Sequence, residues 1–179
     1  PKGKPVTLEY IYLGGSSFDR VALRLKQDLA QIGAELIPRP VDPSQYQERL
    51  RNRDFDIIYT GWGQSLSPGN EQLEYFSSDA ADLSASRNFG GIKNPAVDSL
   101  IKRIIFAKER DELIAATKAL DRVLLWNEYI LPGWTIRFDR TARWDRFARP
   151  EVLAYYGEPA FLATWWWDED KAKAVAAKN

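Results

Sequence analysis

The stretch Phe55–Gln72, "FDIIYTGWGQSLSPGNEQ", decides how the chain is read. Its first part is apolar and β-prone. The pattern then breaks: Gly61 and Gly63 flank Trp62, and small polar residues lead to Pro68-Gly69-Asn70. The apolar run from Asp54 to Thr60 is greasy on both sides, which predicts a buried parallel strand. Upstream, Val6–Leu13 and Ala34–Val41 also read as strands. Phe18, Val21, Ala22, Leu25, Leu29 and Ile32 share a helical face, with Ser16 or Ser17 as cap and Gly33 as stop. Asp42-Pro43 opens a short helix to about Arg51, because Pro suits a first helical turn. The order β-α-β-α-β predicts a parallel sheet with crossover helices, an α/β fold. In such sheets ligands lie beyond the carboxyl ends of the strands, which is where Trp62 stands.

Further on, Asn70–Phe76 reads as a short helix and 77–91 as a polar loop. Asn94-Pro95 caps a helix with Val97, Leu100, Ile101, Ile104 and Ile105 on one side. Asp111 to Asn127 reads as a longer helix. Strands are expected over Ile130–Phe138 and 160–167, loops or a hairpin over Asp139–Pro150, and a frayed tail from Asp168. The chain starts Pro1-Lys2-Gly3 without Met, which reads as the interior of a longer polypeptide.

Composition excludes much chemistry. There is no Cys, His or Met, so disulfides, thiolate nucleophiles, Cys or His zinc sites and His-based triads are ruled out. Lys and Arg number 25, Asp and Glu also 25, which leaves no basic excess for nucleic acid or an anionic membrane. No phosphate-binding loop or nucleophile elbow occurs, which favours a binding role over an enzymatic one.

Individual residues have two readings each. Trp62 either caps the sheet edge or forms a ligand platform, its glycine neighbours letting a ligand backbone approach and its indole offering one donor. Trp165, Trp166 and Trp167 either fill a wide core under a helix or form an interface. Arg87, in "SRNFGG", either fixes its loop or presents a fork of donors to a carboxylate. Glu71 and Glu74 have acid–base spacing and nothing else to mark them. Asp168-Glu169-Asp170 has the charge for a hard cation but no calcium-loop glycine, so a solvated tail is favoured. The arginines from Arg137 to Arg149 alternate with Asp139 and Asp145, which predicts local ion pairs.

Four segments then resemble a known family: "FDIIYTGWGQSLSPGNEQLEYFSS", "SRNFGGIKNPAVDSLIKRIIFAKERDELIAATKALDRVLLWNEYILPGW", "TARWDRFARPE" and "ATWWWDED". Together they are similar to the periplasmic peptide-type (family 5) substrate-binding proteins of ABC importers, near the oligopeptide and microcin C-like binders. The resemblance covers Leu8 to Asp168. It implies an α/β periplasmic-binding-protein lobe with a mixed, mainly parallel sheet flanked by helices. Residues 1–167 are then one ligand-binding lobe and 168–179 a tail. The implied partners are a peptide or peptide-like ligand, an N-terminal lobe of the same protein and the importer's membrane subunits, in the periplasm and without a cofactor. By position, the resemblance puts Trp62, Gly63, Gln64 and Ser65 along the peptide main chain, with Asn70 and Glu71 beside them. Arg87, Asn88 and Phe89 form a second cleft loop, and Trp165 to Trp167 become inter-lobe contacts. Ser65 falls close to where oligopeptide binders carry the aspartate for the peptide's α-amine; here no aspartate lies between Trp62 and Asn70. A carbohydrate-binding module or glycosidase fragment with a row of coplanar exposed indoles is the alternative, and a scaffold docking through Trp165–Trp167 a third.

Overall fold

The computed structural model describes residues 3, 6–15, 17–133, 142–152 and 161–177. It resolves into two compact units, Pro1–Leu131 and Pro132–Asn179, so the expected boundary at 167 falls inside the second.

In the first unit a parallel sheet has the strand order β2–β1–β3, with β1 over Val6–Leu13, β2 over Ala34–Val41 and β3 over Ile57–Ile58. β1 runs beside β2 along its whole length, Val6 against Ala34 through Leu13 against Val41. On its other side only Tyr10 and Ile11 meet Ile57 and Ile58. β3 is therefore shorter than the expected 54–60 run. β2 lies at an edge, which accommodates Pro38 and Pro40, residues with no N–H to give a ladder.

Period-two alternation sorts β1 onto two faces. Tyr10 and Tyr12 pack with Ala22 of helix α1 (Phe18–Ala30) and with Leu36. Ile11 faces Tyr46 and Leu50 of helix α2 (Pro43–Asn52). Ile11, Ala22 and Leu36 are fully buried, and each buried Ile or Leu contributes ~1.5–3 kcal/mol over its exposed state. Ile32, expected on the α1 face, lies past the helix end and is 78% exposed. Ser17 makes no side-chain cap bond, whereas Asp42 accepts from the Ser44 and Gln45 N–H groups and fixes the start of α2. Helix α2 ends on Arg53 in the left-handed region, at φ 51°.

Four helices follow, α3 (Glu71–Phe76), α4 (Ser78–Asp82), α5 (Pro95–Ile105) and α6 (Arg110–Trp126), and α3, α5 and α6 enclose a second core. Tyr75, Phe76, Ile92, Val97, Ile101, Ile104, Ala116, Leu120 and Leu124 make up its buried centre. The expected loop at 77–91 thus contains α4. Ser77 caps it through the Ala80 N–H, and Asp98 of α5 accepts from the N–H and hydroxyl of Ser78.

In the second unit β4 (Phe147–Ala148) pairs antiparallel with β5 (Trp166–Trp167). Residues 161–164, expected to be extended, form the short helix α7. The expected frayed tail is helix α8 (Glu169–Ala176): Asp168 accepts from the Lys171 N–H as cap, and the first-turn carboxylates Glu169 and Asp170 complement the helix dipole. Arg143, Arg146 and Arg149 do not pair with Asp145 as expected. Arg143 and Arg149 lie over the Trp165 ring and Arg146 over Trp144, while Asp145 pairs with Lys171 at 3.3 Å. The 130–138 strand reading lies mostly outside the described residues, as do Ser16, Arg137, Asp139 and Arg140. No helix among the described residues is long and apolar enough to cross a membrane.

Candidate functional site

After Ile58 the chain leaves the ladder and runs as an irregular strap from Tyr59 to Asn70 at the carboxyl end of β3. Its root is fixed by the sheet half: the Tyr46 hydroxyl of α2 donates to the Tyr59 carbonyl, and the Phe18 and Tyr59 rings lie 4.1 Å apart between centroids. Its far end is fixed by the helical half. Arg110 of α6 donates to the Leu66 carbonyl at 2.8 Å, and Glu71 of α3 accepts from the Gly69 N–H at 2.8 Å.

Between these anchors Trp62 is half-buried. Its ring sits 5.3 Å from Phe76, 5.7 Å from Phe89 and 6.4 Å from Tyr75. The indole N–H donates to the Arg87 carbonyl at 2.9 Å. Both readings of this residue therefore hold in part: one face packs on the helical core, and the donor expected to be free for a ligand is committed to the protein. Arg87 bridges strap and core. Its guanidinium donates to the Gly61 carbonyl and to the Tyr75 hydroxyl, each at 3.2 Å, and lies 4.7 Å above the Tyr75 ring. Tyr75 in turn donates to the Gly63 carbonyl at 3.2 Å.

The strap's carbonyls at Gly61, Gly63 and Leu66 are thus held from behind. The N–H groups of the same stretch are not. Among the described residues, no backbone N–H from Gly61 through Leu66 has an acceptor. Gly61 and Gly63 have no positive φ, and a Cβ built on either meets nothing within 4 Å. Neither backbone conformation nor packing in the chain itself requires glycine there. An apolar groove of about 550 Å³ adjoins the strap, lined by Trp62, Gln64, Leu66, Arg110, Ile114 and Leu124 among others.

The other expected residues divide. Gln64 accepts from the amide of buried Gln72 at 2.8 Å, and Ser65 accepts from the Ser67 N–H at 3.0 Å, closing a local turn. Asn70 is exposed at the N-cap of α3 and makes no side-chain cap bond. Burial pushes the Glu71 carboxyl up, but hydrogen bonds from the Gly69 N–H, its own N–H and Gln72 outweigh this and hold it below the usual range. Glu71 is therefore bound into its own turn rather than offered as a replacement for the missing aspartate. Asn88 needs a correction. Expected to line the cleft, it is 0% exposed: its amide donates to the Ser77 and Ile92 carbonyls and its oxygen accepts from the Ile92 N–H. Phe89 packs on Trp62 and on the α2 side of the sheet.

Trp165 to Trp167 belong to the second unit. Trp166 and Trp167 are 53% and 55% exposed, and successive strand residues face opposite sides, so they do not form one stacking row. The sequence pattern missed Arg53, Tyr75 and Arg110, none of which carries a local signal. Their roles come from side chains reaching 12 to 44 residues away.

Comparison with known proteins matches this frame. Residues 2–84 match the model of the middle part of bacterial extracellular solute-binding proteins, family 5. The protein y4wM of Sinorhizobium fredii is 52% identical over 92% of this chain and 24% of its own length. The probable peptide-binding protein YejA of Agrobacterium fabrum is 43% identical over 92% of this chain and 26% of its own. The chain thus spans about a quarter of the length of these curated relatives. Among solved structures, the periplasmic oligopeptide-binding protein of an oligopeptide ABC transporter from Thermotoga maritima superposes with a TM-score of 0.60 and 27% identity, over 70% of this chain and 24% of that one. Its mannohexaose-bound form gives 0.62 and 26%, over 74% and 25%. YejA of Agrobacterium fabrum and the Thermotoga protein are described as peptide- and oligopeptide-binding, and the carbohydrate-module or glycosidase alternative draws no support from the comparisons.

Proposed function

Because the chain belongs to the bacterial extracellular solute-binding proteins of family 5, we propose that it is a ligand-binding lobe that captures peptides for an ABC importer. The observation that carries this reading is the strap. Its N–H groups from Gly61 to Leu66 lack acceptors among the described residues, and Gly61 and Gly63 have no reason in the fold. An extended peptide laid along them satisfies both features: its carbonyls take the N–H groups, as in β-strand addition, and the bare glycine positions let its backbone come close. Trp62, Gly63, Gln64 and Ser65 then face the peptide main chain, with Asn70, Glu71, Arg87 and Phe89 around them. Asn88 acts from behind, by holding the loop. The adjoining groove receives alternate ligand side chains.

Capture works by closure of two lobes in the periplasm, with the N-terminal lobe of the same protein as the other wall and the importer's membrane subunits as the destination. Trp165, Trp166 and Trp167 are the proposed contacts to that lobe. The protein binds and does not catalyse. Half a cleft supplies half the contacts, so the segment alone binds weakly. Isothermal calorimetry with a random oligopeptide pool tests this, on the segment and on the two-lobe protein. Heat with the two-lobe form and little with the segment is the expected result. Tight binding by the segment overturns the shared cleft. No peptide binding by the two-lobe form overturns the peptide reading. A mannooligosaccharide serves as second probe, since the Thermotoga relative is described with mannohexaose bound.

A further inference from the structure

Arg53 is absent from the strap and from the second loop, and its side chain joins neither a helix face nor an ion pair among the described residues. It ends α2 in a left-handed conformation, φ 51°, that an L-residue with a side chain adopts only against a steric cost. From there its guanidinium reaches across to the loop that follows α4. Nε donates to the Asn88 carbonyl at 3.1 Å. Nη2 donates to the Ala80 and Leu83 carbonyls, each at 3.2 Å, and to the Ser86 hydroxyl at 2.9 Å. Ala80 lies in α4 and Leu83 at its C-cap; each carbonyl also accepts one backbone N–H, from Leu83 at 3.3 Å and from Ser86 at 3.4 Å, and the Ala80 carbonyl accepts the Ser86 hydroxyl as well. One planar cation thus gathers four acceptors spread over nine residues, from the last turn of α4 into the loop that follows it.

The loop so gathered is the one that holds the strap. Between Ser86 and Asn88, both bound to Arg53, stands Arg87. The Arg87 carbonyl accepts from the Trp62 indole and its guanidinium donates to the Gly61 carbonyl. The sheet half and the helical half have separate cores, and Arg53 is a polar tie from the end of α2 to the loop beside the helical one. We infer that Arg53 is a positioning residue for the ligand strap: it fixes the loop against α2, and through Arg87 it fixes where Trp62 and the free N–H groups stand. The functional part of this rests on the peptide-binding reading; the positioning part does not.

Two variants test it. Arg53→Gly removes the guanidinium and suits the left-handed backbone, so the loss of the clamp is not compounded by strain. Arg53→Lys keeps the charge but lacks the planar fork. The readout is solvent exchange of the Trp62 indole N–H by ¹⁵N NMR, with the resonance assigned through Trp62→Phe. Exchange of the Ile101 and Leu120 amides in the helical core serves as internal reference. The expected result is exchange at Trp62 faster by about tenfold or more in Arg53→Gly, with a smaller change in Arg53→Lys and unchanged core amides. Unchanged Trp62 exchange overturns the inference. So does equal acceleration of Trp62 and the core, which marks a purely structural role. In the two-lobe protein the same substitutions weaken peptide affinity. If that protein binds no peptide at all, the proposed function fails while the indole exchange still decides the role of Arg53.

Discussion

Two irregular segments of the first unit look alike in sequence: "TGWGQSLSPGN" over 60–70 and "SASRNFGGIKN" over 84–94. Each has a pair of adjacent or near-adjacent glycines, two serines, asparagine and one aromatic, the first with a third glycine and the second with a second asparagine. Their hydrogen bonding is opposite. The second is closed on itself: Asn88 makes three bonds to Ser77 and Ile92, and Arg53 binds the segment and the residues before it. The first is held through its carbonyls, its ends and the Trp62 and Gln64 side chains, and its N–H groups from Gly61 to Leu66 have no acceptor among the described residues. A polar, glycine-rich loop is thus either a brace or a binding edge, and the difference lies in where its donors go.

The comparison breaks most sharply at Asn88. If the second loop is a brace, Asn88→Ala leaves the Ser77 and Ile92 carbonyls and the Ile92 N–H buried without partners. The expected loss is about 3 kcal/mol in urea unfolding, at one to a few kcal/mol per unsatisfied group. A loss under ~1 kcal/mol would make this loop as loosely held as the strap.

Alkaline pH probes the root of the strap. Burial first, then the neighbouring Tyr46, Tyr59 and Tyr12, pushes the Tyr10 hydroxyl up to about 12. Burial also raises Tyr46, whose hydroxyl holds the Tyr59 carbonyl, although its contact with Thr60 works the other way. In the unfolded chain tyrosine ionises near 10. Between pH 10 and about 12 the unfolded state has therefore released protons that the native state keeps, and stability falls as pH rises. It is fully present below pH 10. The fall is on the order of 2 kcal/mol, readable as a drop in urea midpoint. A flat profile from pH 10 to 12 would mean that Tyr10 is wetter than its 3% exposure implies.

Trp62 is the joint between the two segments. Trp62→Phe keeps a ring against Phe76 and Phe89 but removes the donor to the Arg87 carbonyl. It should cost about 1 kcal/mol of stability, the net worth of one hydrogen bond. No change would show that the loop does not hold the strap through the indole.

Much of the frame was legible in sequence because it is local. Asp42-Pro43 and Asn94-Pro95 mark helix starts that the structure reproduces, and the β1 and β2 boundaries follow from apolar runs. The position of the strap followed from the strand-end rule alone. What failed was non-local. Nothing near Asn88 in the chain says that Ser77 and Ile92 surround it, and nothing around Arg53 says that its side chain spans to residue 88. The helices α4 and α8 were missed because five and eight residues carry too little periodicity, and their caps, Ser77 and Asp168, look like ordinary loop residues.

The smallest expected effect on stability comes from the glycines of the strap, and it separates brace from binding edge most cleanly. Gly63→Ala adds a Cβ that meets no atom within 4 Å, at a position without positive φ. Stability should stay within about 0.5 kcal/mol, or rise slightly as the unfolded chain loses freedom. In the two-lobe protein the methyl group stands where the ligand backbone approaches, so peptide affinity should drop about tenfold, the equivalent of one or two backbone hydrogen bonds weakened. A residue whose replacement leaves the fold untouched and the affinity reduced belongs to the ligand rather than to the chain. If Gly63→Ala lowers stability instead, the glycine serves a packing role, and the open N–H edge at Gly61–Leu66 loses its main support as a binding surface.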